Sequence, residues 1–409
     1  MLNAVAIIVS ITALLAWANT RFVRLPTTIG VLTISLVLSL VLVGLAHFGF
    51  TALEAEERTL LSQIDFSDVL MQGMLSLLLF AGSLHVDLSQ LRQYRRQIAV
   101  LALGGTIAST LLVGFGAWWV LKAIDSPLPL AYCLAFGALI SPTDPIAVLG
   151  ILRSAKVPHN LETTIAGESL FNDGVGVVMF TLVLVMVTQG DLPTVQHGVG
   201  LFAREALGGM LYGGVLGGVG YLLLRSIDDA HVEILITLGL VLGGYGLANW
   251  LHISGPIAMV IAGLFIGNEG RRTAMSERTR DALDTFWQVV DEILNAVLFV
   301  LIGLEVILIS FPNGWLLSAV TAIVLTLAAR ALTVGAAVAG ARSWFALPKG
   351  SARILTWAGV RGGISVALAL SLPQGEHKNI VLMLTYSIVV FSILVQGLSI
   401  GALARRIVR

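Results

Sequence analysis

The 409-residue sequence is 57% hydrophobic and 12% charged, carries no formal net charge, and has a mean hydropathy of +0.93. A soluble globular domain is roughly 25% charged, so this composition excludes one and indicates an all-α polytopic protein embedded in membrane lipid. The neutral balance argues against nucleic acid as a partner, and nothing in the sequence indicates a soluble protein partner or a cofactor. Cys133 is the only cysteine, which rules out an intrachain disulfide and fits a small buried apolar residue. The histidines fall mostly in loops or at span ends, with no HExxH or CxxC spacing, so no resident metal is expected.

The first apolar run, residues 3–18, has no basic residue before it and is followed by Arg21 and Arg24, the reverse of a cleaved signal peptide. It is expected to stay as a first helix with its N-terminus outside. Further runs fall at about 27–48, 66–85, 97–121, 129–152, 160–188, 199–224, 232–249, 255–267, 281–310, 315–341, 351–372 and 379–404. These predict thirteen spans, the ninth short and the tenth long. Of the 24 arginines and lysines, eighteen fall in alternate loops that begin with Arg21 and end with the tail after Arg405. Arg58, Lys122 and Lys378 fall on the other side, and Arg204, Arg330 and Arg361 lie within spans. Basic residues collect on the cytoplasmic side, which predicts N-terminus out and C-terminus in.

Segment 268–281 is expected to be the longest polar inside loop. Segment 49–65, with Glu54, Glu56, Glu57 and Asp65, is an acidic outside loop. Glycines at 208, 209, 213, 214, 217 and 218 predict a close helix–helix approach in lipid.

The informative residues lie in three spans. GESLFNDGVG, Gly167 to Gly176, opens the sixth span with Glu168, Ser169, Asn172 and Asp173. A charge at the bilayer centre costs on the order of 3 kcal/mol or more, so it needs a partner or a purpose. Helical spacing puts Glu168 with Asn172 on one stripe and Ser169 with Asp173 on the next. One stripe can hold a structural pair while the other offers oxygens to a small cation. The fifth span contains SPTDPIAV, Ser141 to Val148. Pro145 has no N–H, and the prolines disfavour helix in the residues before them, so the helix is expected to open at Thr143 and restart at Pro145 with Asp144 as cap. Opened backbone at membrane depth is tolerated only beside protein or a water-filled cavity. The twelfth span reads TWAGVRGGISVALAL, with Arg361 among Gly359, Gly362 and Gly363. Arg361 needs a counter-ion, and Glu168 is the predicted one.

Depth supports this grouping. Asp144, Glu168 and Arg361 lie nine, twelve and eight residues from Arg153, Lys156 and Arg353 at the inner ends. That is about 12–18 Å along a helix, with Asp173 about 7 Å further. A hard monovalent cation takes oxygen ligands, here the Asp173 and Asp144 carboxylates, the Ser169 hydroxyl and the Thr143 carbonyl. A buried carboxylate holds a proton or a cation, and the competition couples the two.

Together GESLFNDGVGVV, SPTDPIAV, GVRGGISVAL and FVLIGLEVIL resemble the bacterial NhaP-type sodium/proton antiporters and their animal relatives, the sodium/proton exchangers. The resemblance covers essentially the whole chain. It implies two inverted repeats, spans 1–6 and 8–13, with broken helices five and twelve crossing. It implies a homodimer through spans 1–3 and 7–10, hence dimerisation segments 1–96 and 191–312 and a mobile core of 97–190 and 313–409. It further implies that Asp173 binds the cation or proton, assisted by Asp144, Ser169 and Thr143, and that Glu168 and Arg361 form the family's buried ion pair. Asn172 stands where electrogenic relatives carry a second aspartate, which implies electroneutral one-for-one exchange. The long cytoplasmic tail of the animal relatives has no counterpart after Arg409, so regulation through a tail is not expected.

Exchange of sodium or lithium for protons in a cell inner membrane is the leading reading. Potassium/proton exchange on the same fold and a passive cation channel are the alternatives. An intramembrane enzyme is disfavoured, because no pair of spans offers a Ser–His, paired-Asp or zinc arrangement. No partner is assigned to Arg330. Arg204 and Glu305, toward the outer ends of their spans, are a candidate pair. Asp291, Glu292 and Asn295 fit either the wall of a cytoplasmic funnel or a solvated helix start.

Overall fold

The computed structural model describes residues 2–47, 68–124, 126–144, 146–190, 195–309, 314–340 and 350–408. These residues form helices joined by turns, with no strand among them. That is the outcome lipid requires, since a spanning segment satisfies its own backbone only as a helix or within a closed barrel. The first helices are α1 (Leu2–Ala18), α2 (Thr27–His47), α3 (Leu75–Leu84, entered through a π-helical turn at Val69–Met74) and α4 (Arg95–Ala123). The fifth expected span is two helices, α5 (Leu130–Ile140) and α6 (Ile146–Ser154). Then come α7 (His159–Gln189), α8 (Val195–Arg225), α9 (Ala230–Trp250), α10 (Gly255–Phe265), α11 (Glu277–Glu305) and α12 (Trp315–Gly340). The twelfth expected span is again two helices, α13 (Ser351–Trp357) and α14 (Gly363–Leu370), before the last, α15 (Glu376–Ile407). Among the described residues nine helices are long and apolar enough to cross a membrane; the remaining expected spans hold shorter or interrupted helices.

Two groups of helices pack separately and then meet. In the first, α11 lies against α1, α2, α3 and α9, and α10 against α3, α8 and α9. In the second, α5 lies among α4, α7, α14 and α15, and α12 against α4, α13 and α15. The groups touch where α7 meets α8 and α10, and where α14 meets α11. The glycine run of α8 is a packing surface: a Cβ on Gly213 would sit 2.5 Å from Ala258 O, and one on Gly209 2.7 Å from Ser254 O. Gly214 and Gly218 face open space, so only one stripe of the run serves the contact. Cys133 is fully buried. Trp119, Leu211 and Trp250 are 73%, 74% and 75% exposed, an apolar exterior that suits lipid.

Segment 268–281 is helical except at residues 274–276. The chain continues from α10 through a π-helical turn, Ile266–Gly270, and a short turn of helix, Arg271–Thr273. Ser276 then caps α11 by accepting a bond from Thr279 N at 3.3 Å, which starts that helix four residues before the expected 281. The acidic segment 49–65 and the helix restart at Pro145 lie outside the described residues.

Candidate functional site

The site begins with two helix breaks. After Ile140 the chain runs through Ser141, Pro142, Thr143 and Asp144 without helical bonding, as the prolines dictate. After Trp357 it opens again across residues 358–362. The openings cross and bond, Asp144 N donating to Val360 O at 2.7 Å. Gly362 makes the crossing possible, because a Cβ there would fall 2.3 Å from a carboxylate oxygen of Asp144. A broken helix leaves carbonyls unpaired at its C-terminal end, where the backbone dipole is negative. Arg361 serves that end of α5, its Nη1 donating to Pro142 O at 2.8 Å and to Ser141 O. The neighbouring π-helical turn of α15, Ser392–Gly397, braces the second opening. Ser392 Oγ accepts from Arg361 N at 3.0 Å, and Gln396 Nε2 donates to Trp357 O at 3.1 Å.

The predicted Glu168–Arg361 ion pair is not formed. Glu168 pairs with Arg330 of α12, whose Nη1 donates to Oε1 and whose Nη2 donates to Oε2 at 2.9 Å. All three side chains are buried. The physical reason is a division of labour. The guanidinium of Arg361 is committed to the carbonyls ending α5, and the fork of Arg330 matches a carboxylate with two parallel bonds. Arg330 Nη2 also donates to Leu355 O at 3.1 Å, at the end of α13, so each arginine serves one half-helix terminus. Arg330 lies twelve residues before Arg342, about 18 Å along a helix and hence at the depth of Glu168. Counting depth would have found it but would not have preferred it over Arg361.

A cavity of about 630 Å³ reaches the crossing. Its wall holds four of the predicted site residues, Thr143, Asp144, Ser169 and Asp173. Ser169 Oγ donates to Thr143 O and keeps its own lone pairs for a cation. Asp144 and Asp173 lie within Coulombic reach of each other on that wall. Asn172, Glu168 and Arg361 are not on this wall. The Asn172 amide is engaged by Thr143: Nδ2 donates to Thr143 Oγ1 at 2.8 Å, and Oδ1 accepts from Thr143 N at 3.3 Å. Asn172 therefore holds the opened chain in place.

Asp291, Glu292 and Asn295 of α11 line the same cavity, which selects the funnel over a solvated helix start. The mouth lies near His85 and Arg153, both exposed, and Arg153 is paired with Glu162 at 2.5 Å. Past the crossing, residues 298–306 of α11 and the turn after it are all buried. Glu305 is buried within Coulombic reach of Lys378, whose Nζ donates to Leu370 O at 2.5 Å. Arg204 is exposed beside Glu205, so the candidate pair Arg204–Glu305 is not among the ion pairs of the described residues.

A family model described as "Sodium/hydrogen exchanger, transmembrane" matches residues 9–406. The Na(+)/H(+) antiporter NhaP of Pseudomonas aeruginosa is 51% identical over 413 residues, covering 100% of this chain and 97% of the relative. The Na(+)/H(+) antiporter NhaH of Halobacillus dabanensis is 36% identical over 378 residues, covering 90% and 91%. The solved structure of the sodium proton antiporter MjNhaP1 from Methanocaldococcus jannaschii at pH 8 superposes with a TM-score of 0.79 at 17% identity, covering 99% of each chain, and shares the fold.

Proposed function

Because the chain belongs to the sodium/hydrogen exchanger family, we propose that it is a secondary active transporter exchanging sodium or lithium for protons by alternating access. The observation that carries this is the cavity in which Asp173, Asp144, Ser169 and Thr143 meet where two broken helices cross. Broken helices around a midplane site are the build of such transporters. Asp173 exchanges a proton for the cation, Asp144 shares the ion's charge, and the Ser169 and Thr143 oxygens complete its shell. The Glu168–Arg330 pair is electrically neutral and takes no part in the exchange. With an asparagine at 172, one cation replaces one proton and the cycle moves no net charge.

The thirteen-span count, with N-terminus outside and C-terminus cytoplasmic in a bacterial inner membrane, follows from the distribution of basic residues. On that orientation the cavity opens to the cytoplasm. The core of 97–190 and 313–409 moves against dimerisation segments 1–96 and 191–312, a division that follows the two packed groups of helices. The role in the cell is sodium and pH homeostasis, with no enzymatic step and no cofactor. The relatives described above are named for sodium, which favours it over potassium.

The test is dissipation of a pH gradient in everted vesicles containing the protein, one ion at a time. Sodium and lithium are expected to collapse the gradient and potassium to leave it intact. Cation flux without accompanying proton movement would sink the proposal in favour of a channel.

A further inference from the structure

We propose that Glu305 of α11 and Lys378 of α15 form a latch between the two helix groups, which holds the side away from the cavity shut and parts when that side opens. Contacts fix both ends of a seam between α11 and the core group. At the cavity end, a Cβ on Gly363 of α14 would fall 2.4 Å from Leu298 Cδ1. Seven residues on in each helix, about 10 Å further from the cavity, stand Glu305 and Leu370, the last residues of α11 and α14. Two helical turns return Glu305 to the stripe of Leu298, which faces the core group. There Lys378 Nζ donates to Leu370 O at 2.5 Å, within Coulombic reach of Glu305. Tyr386, also of α15, lies within Coulombic reach of Glu305 as well.

The setting is dry. Glu305 is 4% exposed and Lys378 7%, and the neighbouring Leu304, Val306 and Leu382 are buried and apolar. Lys378 serves the negative end of α14, so its charge is favoured there by the helix dipole as well as by Glu305. A buried ion pair holds a seam no more tightly than apolar side chains of the same volume. What it changes is the cost of opening. Water entering an apolar seam hydrates apolar surface, which is unfavourable, whereas water entering this one restores hydration to two charges. The seam is therefore suited to open and reclose, with Glu305 on a dimerisation segment and Lys378 on the moving core. This deepens the antiport reading and rests on it.

The experiment uses the full chain in proteoliposomes with Cys133→Ala, which removes the only cysteine. Glu305→Cys with Lys378→Cys, bridged by a bis-methanethiosulfonate, is expected to lose about tenfold or more in sodium-driven proton movement and to regain it on reduction. Ile302→Cys, buried within the seam, is expected to react with an impermeant thiol reagent from the side opposite the cavity mouth about fivefold faster once Glu305→Gln or Lys378→Met is added. Val241→Cys, equally buried but off the seam, is expected to stay unreactive. Exchange unslowed by the bridge, Ile302→Cys labelling unchanged by both substitutions, or equal acceleration at Val241→Cys overturns the latch. Labelling needs no transport, so it alone decides where the double-cysteine protein does not exchange before bridging. Absence of sodium-driven proton movement in wild type overturns antiport instead, and the labelling still decides the latch.

Discussion

In the proposed cycle, Asp173 is the side chain on which exchange turns. A protonated carboxylate binds no alkali ion, so protons and sodium compete for it. Half-saturating sodium is therefore expected to rise as pH falls, with the rate at saturating sodium recovering. A half-saturation constant indifferent to pH in proteoliposomes would remove the shared site. Asp173→Asn keeps the volume and loses the titration, and is expected to abolish exchange in a protein that still folds. Glu168 and Arg330 behave differently. Removing either partner strands a buried charge at a cost of about 3–5 kcal/mol, so Glu168→Ala and Arg330→Ala are each expected to melt well below wild type. Arg361→Ala leaves carbonyls unpaired instead of a charge, a smaller loss of about 1–3 kcal/mol. Thermal melts of the three purified variants check that order. That Glu168 must have a cation was legible in the sequence, because its cost in lipid is a property of the residue alone. Which cation was not, because Arg330 and Arg361 lie at similar depths and depth is one coordinate out of three.

The two helix breaks differ in how openly the chain announces them. Pro142 and Pro145 state the first through covalent geometry, and the helix does open between α5 and α6. The second has no proline. Its glycines matter because other groups press on them: Asp144 on Gly362 and the Arg330 guanidinium on Gly359, 2.8 Å from a would-be Cβ. Gly362→Ala is expected to displace the Asp144 carboxylate and reduce transport at least tenfold, about 1.4 kcal/mol or more of lost stabilisation, without loss of expression. Retained turnover in proteoliposomes would show that the crossing tolerates a methyl group. The bracing by Ser392 and Gln396 had no signature in the sequence, since both residues sit in an unremarkable apolar run and act only through the turn that aims them.

At the scale of the whole molecule, the cavity gives a route to the crossing. Cys133 is the only cysteine and is buried, so a Cys133→Ala background permits labelling at chosen positions. Gly150→Cys, at an exposed point of the cavity wall, is expected to react with an impermeant thiol reagent applied from the cytoplasmic side and not from the other. The reverse result would invert the proposed orientation. Electroneutrality is tested by imposing a membrane potential during sodium-driven proton movement; the rate is expected not to change.

Class, approximate span positions and the first helix break were all written in the chain. Hydropathy, proline geometry and the cost of a buried charge act on a residue and its near neighbours. The partner of Glu168, the engagement of Asn172 by Thr143 and the placing of Asp291 and Asn295 across from Asp144 were decided by folding. Each joins side chains from different helices, and the order of helices around a bundle leaves no mark on the depth of any one residue.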